Sequence, residues 1–421
     1  MKDYSLTLLA VSLFALAVFF PRNLPAQTYS ETVLYSFARN QTGVENQNPG
    51  SLVMDSAGNL YGTTAFGGSL GDGCFADTPC GTIFELSSKG VFSTLHKFRG
   101  GSGGYYPFGL VVNASGELYG FTLGGSFGSG TLFEFATKTK KFTTLYEFGE
   151  TPTASAYPQG FPTIDSAGNL FGAAQEGGTN VDCPGVNGLV GCGTIFEITP
   201  KGVASIVYSF ANTGFYPYGN LLLNDKGDFY GISFNAAGPA GSLYEVTSAG
   251  AEITLNSGVG AIDPNGYLSR DAAGNFYGGF SYAGTTPESY FSGIWEILDN
   301  SYKLSELYLA YDCVPLYFGG SCNSLIGTIG PLALSNGMIY GTADTGGPSA
   351  SATSLGSGAV FEFSESTGAE LTLYNFCSAV NCTDGSAPQW GVIADAQGNL
   401  FGTTVSGGAK GWGTIFKLTK D

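Results

Sequence analysis

The sequence predicts an all-β protein, a seven-bladed β-propeller made of four-stranded antiparallel blades. Three observations carry this prediction: one unit that occurs seven times, a composition rich in glycine and aromatic residues, and two chain ends that complement each other. The chain has 66 Gly, 24 Tyr and 32 Phe among its 421 residues, and only 12% are charged. Such a composition fits many short strands that are joined by tight turns.

The clearest element of the repeat is a five-residue anchor of the form glycine, any residue, apolar residue, aromatic residue, glycine. Its copies are 58–62 (GNLYG), 116–120 (GELYG), 168–172 (GNLFG), 227–231 (GDFYG), 274–278 (GNFYG), 337–341 (GMIYG) and 398–402 (GNLFG). The aromatic residues recur after 47 to 63 residues. This spacing is too long for a hairpin and suits a four-stranded blade.

Three further elements complete the unit. An apolar stretch opened by proline, such as PFGLVV at 107–112, precedes the anchor. An element such as GTIFEL at 81–86 follows it, and then one such as TLYEF at 144–148. The unit is therefore strand a, a tight turn, strand b, a long loop, strand c, a short turn and strand d.

The two ends of the chain predict how the ring closes. The seventh repeat stops at strand c, GTIFKL at 413–418, while TVLYSF at 32–37 forms a strand d without a blade. Pairing these two segments closes the ring and removes two exposed sheet edges. Residues 27–421 are thus expected to form a single propeller domain.

The first 26 residues are predicted to be a cleavable signal peptide. Lys2 precedes an apolar run over 6–20, and LPA at 24–26 offers a cleavage site. No cysteine follows the run, and the chain ends at Asp421 directly after a predicted strand. We therefore expect a secreted or periplasmic monomer with no membrane span in the mature chain and no C-terminal anchor.

The eight cysteines fall into four local pairs. They are Cys74/Cys80, Cys183/Cys192, Cys313/Cys322 and Cys377/Cys382. An even number of cysteines in an exported chain predicts disulfides. Zinc is the alternative, and it is disfavoured because each pair lies in a different repeat and the chain has a single histidine.

The order GNLYGTT, GG, GTIFEL, repeated along nearly the whole chain after the leader, resembles the GloVer tandem-repeat family. The resemblance implies an exported bacterial protein with a propeller-like fold, and many members carry a variable C-terminal anchor that this sequence does not show. It implies no particular activity and no catalytic residues, so no residue roles are transferred.

The candidate binding site is the central funnel on the face where the long b–c and d–a loops emerge, because variable loops on a rigid scaffold commonly carry function. Strand a lines the channel of a propeller, so residues at its start are expected to rim the funnel. The predicted rim consists of Tyr106, Phe108, Tyr157, Gln159, Tyr216, Tyr218, Asp263, Asn265, Gln389 and Trp390. Such side chains suit a neutral glycan or a peptide. The alternative is that they pack the tops of the blades together.

The net charge of the chain and its single histidine argue against several classes of function. A formal net charge of −17 makes nucleic acids and anionic lipids unsuitable partners. The only histidine, His96, stands on the outer strand d, which disfavours Ser-His-Asp and Cys-His catalysis in the funnel. We expect neither a metal nor a cofactor.

The acids that recur once per blade are interpreted as structural. Asp55, Asp165 and Asp271 occupy the first position of the a–b turn, where they cap it. The glutamate of GTIFEL occurs in six blades, and Lys417 replaces it in the seventh. We interpret it as a packing or hydrogen-bonding residue.

Three functions remain open. A non-catalytic binding module is favoured, followed by a structural or protein-interaction scaffold. The third is a glycan hydrolase or lyase that uses two carboxylates, for which Asp263 is the best-placed acid without an evident partner.

Overall fold

A computed structural model describes residues 29–38, 47–68, 74, 78–180, 183, 190–211, 215–235, 241–257, 263–283, 290–299, 301–311, 325–346 and 356–420. In this part the chain forms seven antiparallel sheets arranged as the blades of one propeller. Two short 3-10 helices, Gly101–Gly103 and Val380–Cys382, lie in d–a loops. The predicted all-β, seven-bladed fold is confirmed.

The strands are labelled in chain order and grouped here by their place in the blade. The innermost strands a are β2 (Gln47–Met54), β6 (Tyr105–Val112), β10 (Ala156–Ile164), β14 (Phe215–Leu223), β18 (Asp263–Arg270), β22 (Leu325–Ile329) with β23 (Ala333–Ser335), and β27 (Val392–Ala394). Strands b are β3 (Leu60–Phe66), β7 (Glu117–Gly124), β11 (Leu170–Glu176), β15 (Phe229–Asn235), β19 (Phe276–Ala283), β24 (Met338–Gly346) and β28 (Leu400–Thr404). Strands c are β4 (Thr82–Leu86), β8 (Thr131–Ala136), β12 (Thr194–Ile198), β16 (Ser242–Val246), β20 (Tyr290–Ile297), β25 (Ala359–Ser364) and β29 (Thr414–Lys420). The outermost strands d are β5 (Phe92–Lys97), β9 (Lys141–Glu147), β13 (Ala204–Ser209), β17 (Glu252–Asn256), β21 (Leu304–Tyr311), β26 (Ala369–Asn375) and β1 (Tyr29–Ser36).

The N-terminal strand closes the ring. Blade 7 has the order β1-β29-β28-β27, so its outer strand comes from the start of the chain and its other three strands from the end. The antiparallel register runs from Tyr29 opposite Lys420 to Ser36 opposite Thr414. Phe37, directly after β1, is fully buried in the layer between blades 7 and 1. The closure predicted from the two chain ends is confirmed.

The last glycine of each anchor leaves room for an aromatic ring of strand c. A Cβ atom on Gly62 would overlap the ring of Phe84, and one on Gly278 would overlap the ring of Trp295. The same relation holds in the other five blades. The rings are buried and form the layers between neighbouring blades, which explains why the anchor requires glycine at this place.

A second set of glycines brings the inner strands into direct contact around the axis. A Cβ atom on Gly109 would overlap the carbonyl oxygen of Gly160 in the next blade, and one on Gly160 would overlap the backbone at Asn220. Gly219 stands in the same relation to Gly266. At these positions strand a bulges and φ is positive, between 63° and 81° for the four glycines. No other residue type combines this conformation with so close an approach.

In blades 2, 3, 4 and 7, a proline at the start of strand a holds the blade to the previous one. Its ring packs on the glycine that opens strand c of that blade, as Pro107 does on Gly81 and Pro217 on Gly193. Proline lacks an N–H, so its ring can face a neighbouring backbone without leaving a donor unpaired. The contact places the start of strand a against the previous blade.

The glycine contact predicts a large difference between two alanine substitutions. Gly160 and Gly368 have nearly the same φ, 63° and 66°, but nothing lies within 4 Å of a Cβ on Gly368. We expect Gly368→Ala to lower the free energy of unfolding by about 1 kcal/mol through backbone strain. Gly160→Ala should lower it by roughly 3 kcal/mol or more, because the inner strands must also move apart. Urea unfolding of both variants measures this, and equal losses would contradict it.

Candidate functional site

Three of the predicted rim residues line one pocket on the loop face. The pocket has a volume of about 180 Å³ and lies where blades 7, 1 and 2 meet around the axis. Its lining consists of Asn48, Gly50, Ser51, Thr63, Ala65, Tyr106, Pro107, Phe108, Gly109, Leu123 and Trp390. Its size suits a single ring or side chain rather than a large ligand, since typical ligand pockets measure about 300–1,000 Å³.

Tyr106 is held rigidly at the edge of this pocket. Its φ is 55°, in the left-handed region, and its N–H donates to the carbonyl oxygen of Cys80 at 2.9 Å. Its hydroxyl shares a 2.7 Å hydrogen bond with Thr78, and its ring packs edge-on against Phe66. Cys80 is buried and disulfide-bonded to Cys74, so the residue whose carbonyl oxygen positions Tyr106 is itself held by a covalent bond.

Trp390 contributes a hydrogen-bond donor without a partner. Its ring lines the pocket and is half-buried, while its Nε1 atom is buried and makes no hydrogen bond within the described part. A buried N–H without a partner is unfavourable, so a rotation of the indole that brings this N–H to a ligand oxygen in the pocket would add to affinity. Phe108 lies across the pocket and also packs against Phe121.

Tyr157 and Gln159, two further residues of the predicted rim, do not line this pocket and make hydrogen bonds to backbone carbonyl groups instead. The N–H of Tyr157 donates to the carbonyl oxygen of Ser129 in the previous blade at 3.0 Å. The side-chain amide of Gln159 donates to the carbonyl oxygen of Tyr157 at 3.0 Å. These contacts fit the interpretation that this side of the rim packs blades together.

The remaining rim residues are also spread around the ring. The ring of Tyr218 lies over Gly266 of the next blade, and 38% of the residue is exposed. Tyr216 is half-buried on the same strand. Gln389 donates to the carboxylate of Asp344 in blade 6 at 3.4 Å. The side chains of Asp263 and Asn265 lie outside the described part, although both residues belong to β18.

Three residues that line the pocket, Leu123, Gly50 and Gly109, were not among the residues predicted from the sequence. Leu123 is 55% exposed at the end of β7, in the place that Ala65 takes in β3. Leu123 therefore adds apolar surface to the wall of the pocket. Gly50 and Gly109, at the contact of the inner strands, also line the pocket.

The opposite face has two larger grooves between blades. One of about 680 Å³ lies between blades 7 and 1, and one of about 670 Å³ lies between blades 3 and 4. Both are lined by an anchor phenylalanine, Phe401 and Phe171 respectively. Where the anchor is tyrosine, as in Tyr61, the hydroxyl reaches the acid of the a–b turn and occupies this space.

The acids at the a–b turns of this face accept hydrogen bonds within their own blades, as Asp55, Asp165, Asp271 and Asp395 do. Asp55 accepts hydrogen bonds from the backbone N–H groups of Ala57 and Asn59, both at 2.9 Å. Burial raises the pKa of Asp55, but the hydrogen bonds from Asn59, Tyr61 and Ala57 outweigh it and hold the pKa below its ordinary value. The predicted turn-capping role is thereby confirmed.

The repeated glutamate of strand c bonds to the anchor tyrosine. Tyr230 donates to Glu245 and Tyr277 donates to Glu296, each at 3.1 Å. Burial and the neighbouring Glu245 raise the pKa of Tyr230 to about 12, so its hydroxyl stays a donor. These contacts confirm the interpretation of the glutamates as hydrogen-bonding residues.

Three of the four predicted disulfides are formed. They join Cys74 to Cys80, Cys183 to Cys192, and Cys377 to Cys382. Cys313 and Cys322 lie outside the described residues, as does the predicted signal peptide. Disulfides fit an extracellular or periplasmic protein.

Within the described ranges, no three His, Cys, Asp or Glu side chains are grouped so that they could hold a metal ion. None of the helices there is long and apolar enough to cross a membrane.

The fold and the loop face define the class of this protein, a disulfide-bonded seven-bladed propeller built from tandem repeats. The sequence model of the Gloeobacter/Verrucomicrobia repeat matches residues 18–186 and 77–290, more than half of the chain. The chain therefore belongs to this repeat family, as the anchor pattern predicts. A comparison with curated proteins found no match.

Solved structures with similar folds include several enzymes. The oligogalacturonate lyase from Vibrio parahaemolyticus has 10% sequence identity and a TM-score of 0.54, over 93% of this chain and 97% of that one. An oligogalacturonate lyase in complex with manganese has 12% identity and a TM-score of 0.50, over 94% and 98% of the two chains. A fungal alcohol oxidase of the AA5 family, in complex with copper, has 13% identity and a TM-score of 0.52, over 94% and 76%. At these identities the likeness shows a shared fold alone.

His96 lies on the outer strand β5, as predicted, and not on the inner strands that surround the axis. Its ring stacks on Phe142 at 4.0 Å between centroids and packs edge-on against Phe98. Burial, together with the positive charge of Arg99, lowers the pKa of His96 to about 4. The ring is therefore neutral at neutral pH and serves as a packing residue.

This lowered pKa predicts a pH-dependent contribution to stability. Because the folded protein binds the proton less tightly than the unfolded chain, stability is full above about pH 6.5 and falls as pH drops towards 4. His96→Tyr introduces the residue that stands at this place in other blades, such as Tyr146 on Phe148. Between pH 7 and pH 4.5, the wild type should lose roughly 1–2 kcal/mol more than the variant in urea unfolding. Parallel pH profiles would show that His96 is not responsible.

Proposed function

We propose that this protein is an exported, non-catalytic binding module whose pocket at the junction of blades 7, 1 and 2 takes one sugar ring of a neutral glycan. The leader at 1–26 directs export and is removed. The Trp390 indole with its unpartnered N–H is the observation that carries this proposal.

The chemistry of the pocket suits a sugar ring. Tyr106, Phe108 and Trp390 offer apolar ring surface, which matches the C–H face of a sugar, while the indole N–H matches a hydroxyl oxygen. The volume of about 180 Å³ accommodates one ring. A net charge of −17 repels anionic ligands at long range and so favours a neutral one.

The pocket is also preorganised. Tyr106 is fixed by a backbone hydrogen bond to Cys80, a hydroxyl bond to Thr78 and the packing of its ring on Phe66. A rigid aromatic contact loses little conformational entropy when the ligand binds, which strengthens weak contacts.

The two grooves on the opposite face support a binding role less well. Asp55 and Asp395 line the groove between blades 7 and 1, but both already accept hydrogen bonds from their own turns. A ligand there would compete with bonds that hold the blades together.

The proposal predicts that glycan binding depends on Trp390. Residues 27–421 are screened on a glycan array, with peptides and oligogalacturonates as the peptide and anionic probes. We expect specific binding to a neutral glycan that Trp390→Ala abolishes. Trp390→Phe keeps the ring surface but removes the donor, and it should weaken binding roughly tenfold, the effect of one hydrogen bond.

Tyr218→Ala is the matched control, because Tyr218 is an exposed aromatic residue of the predicted rim that does not line the pocket. It should leave binding unchanged. Equal losses in Tyr218→Ala and Trp390→Ala would shift the site to the whole rim. Binding to peptides alone would replace the glycan as ligand, and the absence of binding to every probe would favour a scaffold.

A further inference from the structure

The groove between blades 3 and 4 and the groove between blades 7 and 1 have equivalent linings but opposite charges at one position. Each is lined by residues from all four strands of its first blade, from strand a to strand d. The anchor residue is a phenylalanine in both, Phe171 and Phe401. Opposite it on strand c stands Glu197 in the first groove and Lys417 in the second. The two grooves therefore combine the same apolar ring with charges of opposite sign.

Blades 3 and 7 depart here from the rest of the ring. In the other five blades the anchor is a tyrosine that lies opposite a glutamate of strand c, as Tyr230 lies opposite Glu245. The hydroxyl of Tyr230 donates to Glu245 at 3.1 Å. Phe171 has no hydroxyl to donate, so Glu197 lacks this partner, and both side chains line an open groove instead.

Lys417 shows which group fits above the anchor phenylalanine. Its Nζ atom lies 5.6 Å from the centroid of the Phe401 ring, within the range of a cation–π contact. The groove between blades 7 and 1 thus contains a cation that the chain itself supplies. In blade 3 the equivalent ring, Phe171, has the carboxylate of Glu197 beside it. A cation from outside would contact this ring and this carboxylate together.

Glu197 is available to such a cation. It is half-buried and, within the described part of the chain, accepts one hydrogen bond, from the Ser205 hydroxyl at 3.3 Å. It takes part in neither of the ion pairs found there. The turn acid Asp165 accepts hydrogen bonds from its own turn, and a ligand that pairs with Glu197 leaves them in place.

The remainder of the groove suits the stem of an organic cation. Its volume of about 670 Å³ lies in the range of ligand sites. Ile164, Val207 and Leu223 contribute apolar walls, and Val207 is 36% exposed on the outer strand β13. Among the described residues of the lining, Asp165 and Asp225 add negative charge and none is basic. The net charge of −17 also attracts cations at long range.

We propose that the groove between blades 3 and 4 binds an organic cation, a primary ammonium or guanidinium group on an alkyl stem. The charged group lies over the ring of Phe171 and pairs with Glu197, and the stem follows the apolar walls. The groove between blades 7 and 1 excludes the same ligand, because Lys417 already holds the equivalent place. The site lies on the face opposite the proposed glycan pocket and is independent of it.

The proposal predicts that n-pentylammonium binds to residues 27–421 and that the uncharged 1-pentanol binds at least roughly tenfold more weakly, as measured by calorimetric titration. Glu197→Gln keeps the size of the side chain, removes its charge and should weaken binding of the ammonium by about tenfold or more. Phe171→Tyr introduces the anchor residue of the other five blades. Its hydroxyl should occupy the place of the cation and abolish binding.

Exchange of the charges between the two grooves tests the same contact in both directions. Glu197→Lys reproduces the pair found in blade 7, so it should keep the fold and abolish binding. Lys417→Glu gives blade 7 the pair found in blade 3 and should add a second site, which equilibrium dialysis counts. Glu245→Gln is the matched control, because Glu245 already accepts from Tyr230, and it should leave binding unchanged. Thermal unfolding of each variant verifies that the ring is intact.

A capped pentapeptide with one lysine between leucines distinguishes two sources of the cation. Tighter binding of this peptide than of n-pentylammonium would identify the ligand as a basic side chain of a partner protein. Equal or weaker binding would identify it as a free small molecule. Equal affinities of the wild type and Glu197→Lys, equal affinities for the ammonium and the alcohol, or no binding of any of these probes would overturn the proposal.

Discussion

The inner strands of the ring cross so close to the axis that their backbones touch, and the rest of the molecule is arranged around this contact. Gly109, Gly160 and Gly219 each face the backbone of the next blade, where a side chain would not fit. Because these strands meet directly, the blades can diverge only outwards, and aromatic residues such as Phe84 and Trp295 fill the widening space between sheets. The pocket proposed to bind a glycan lies beside this contact, because Gly50 and Gly109 line it.

The stabilising hydrogen bonds that recur between blades lie on one face of the ring, and the loops that vary between blades lie on the other. On the face of the short turns, blades 4 and 5 join the turn residue, the anchor tyrosine and the strand-c glutamate by hydrogen bonds, as Asp271, Tyr277 and Glu296 are joined in blade 5. On the other face, loops of unequal length carry disulfides. Because the repeated contacts hold the blades, the loops can differ from blade to blade without loss of the ring.

Most of the fold could be predicted from the sequence, but only part of the site could. The anchors and the prolines recur, so their periodicity alone indicates blades and strand order. The rim residues occupy equivalent places in each blade, and periodicity cannot distinguish Trp390, which lines a pocket, from Tyr218, which covers Gly266. That difference depends on where neighbouring residues are small, as Gly50 and Ala65 are.

The closure of blade 7 by β1 has a consequence for how the protein is made. Strand β1 is synthesised before the other described strands and must wait for its hydrogen-bonding partner, β29, which is synthesised after them. Until then the chain carries two unpaired edges, which is the condition in which sheets aggregate. Closure of the ring therefore requires both β1 and β29, and a chain that lacks either strand leaves the edge of the other open to proteases and chaperones.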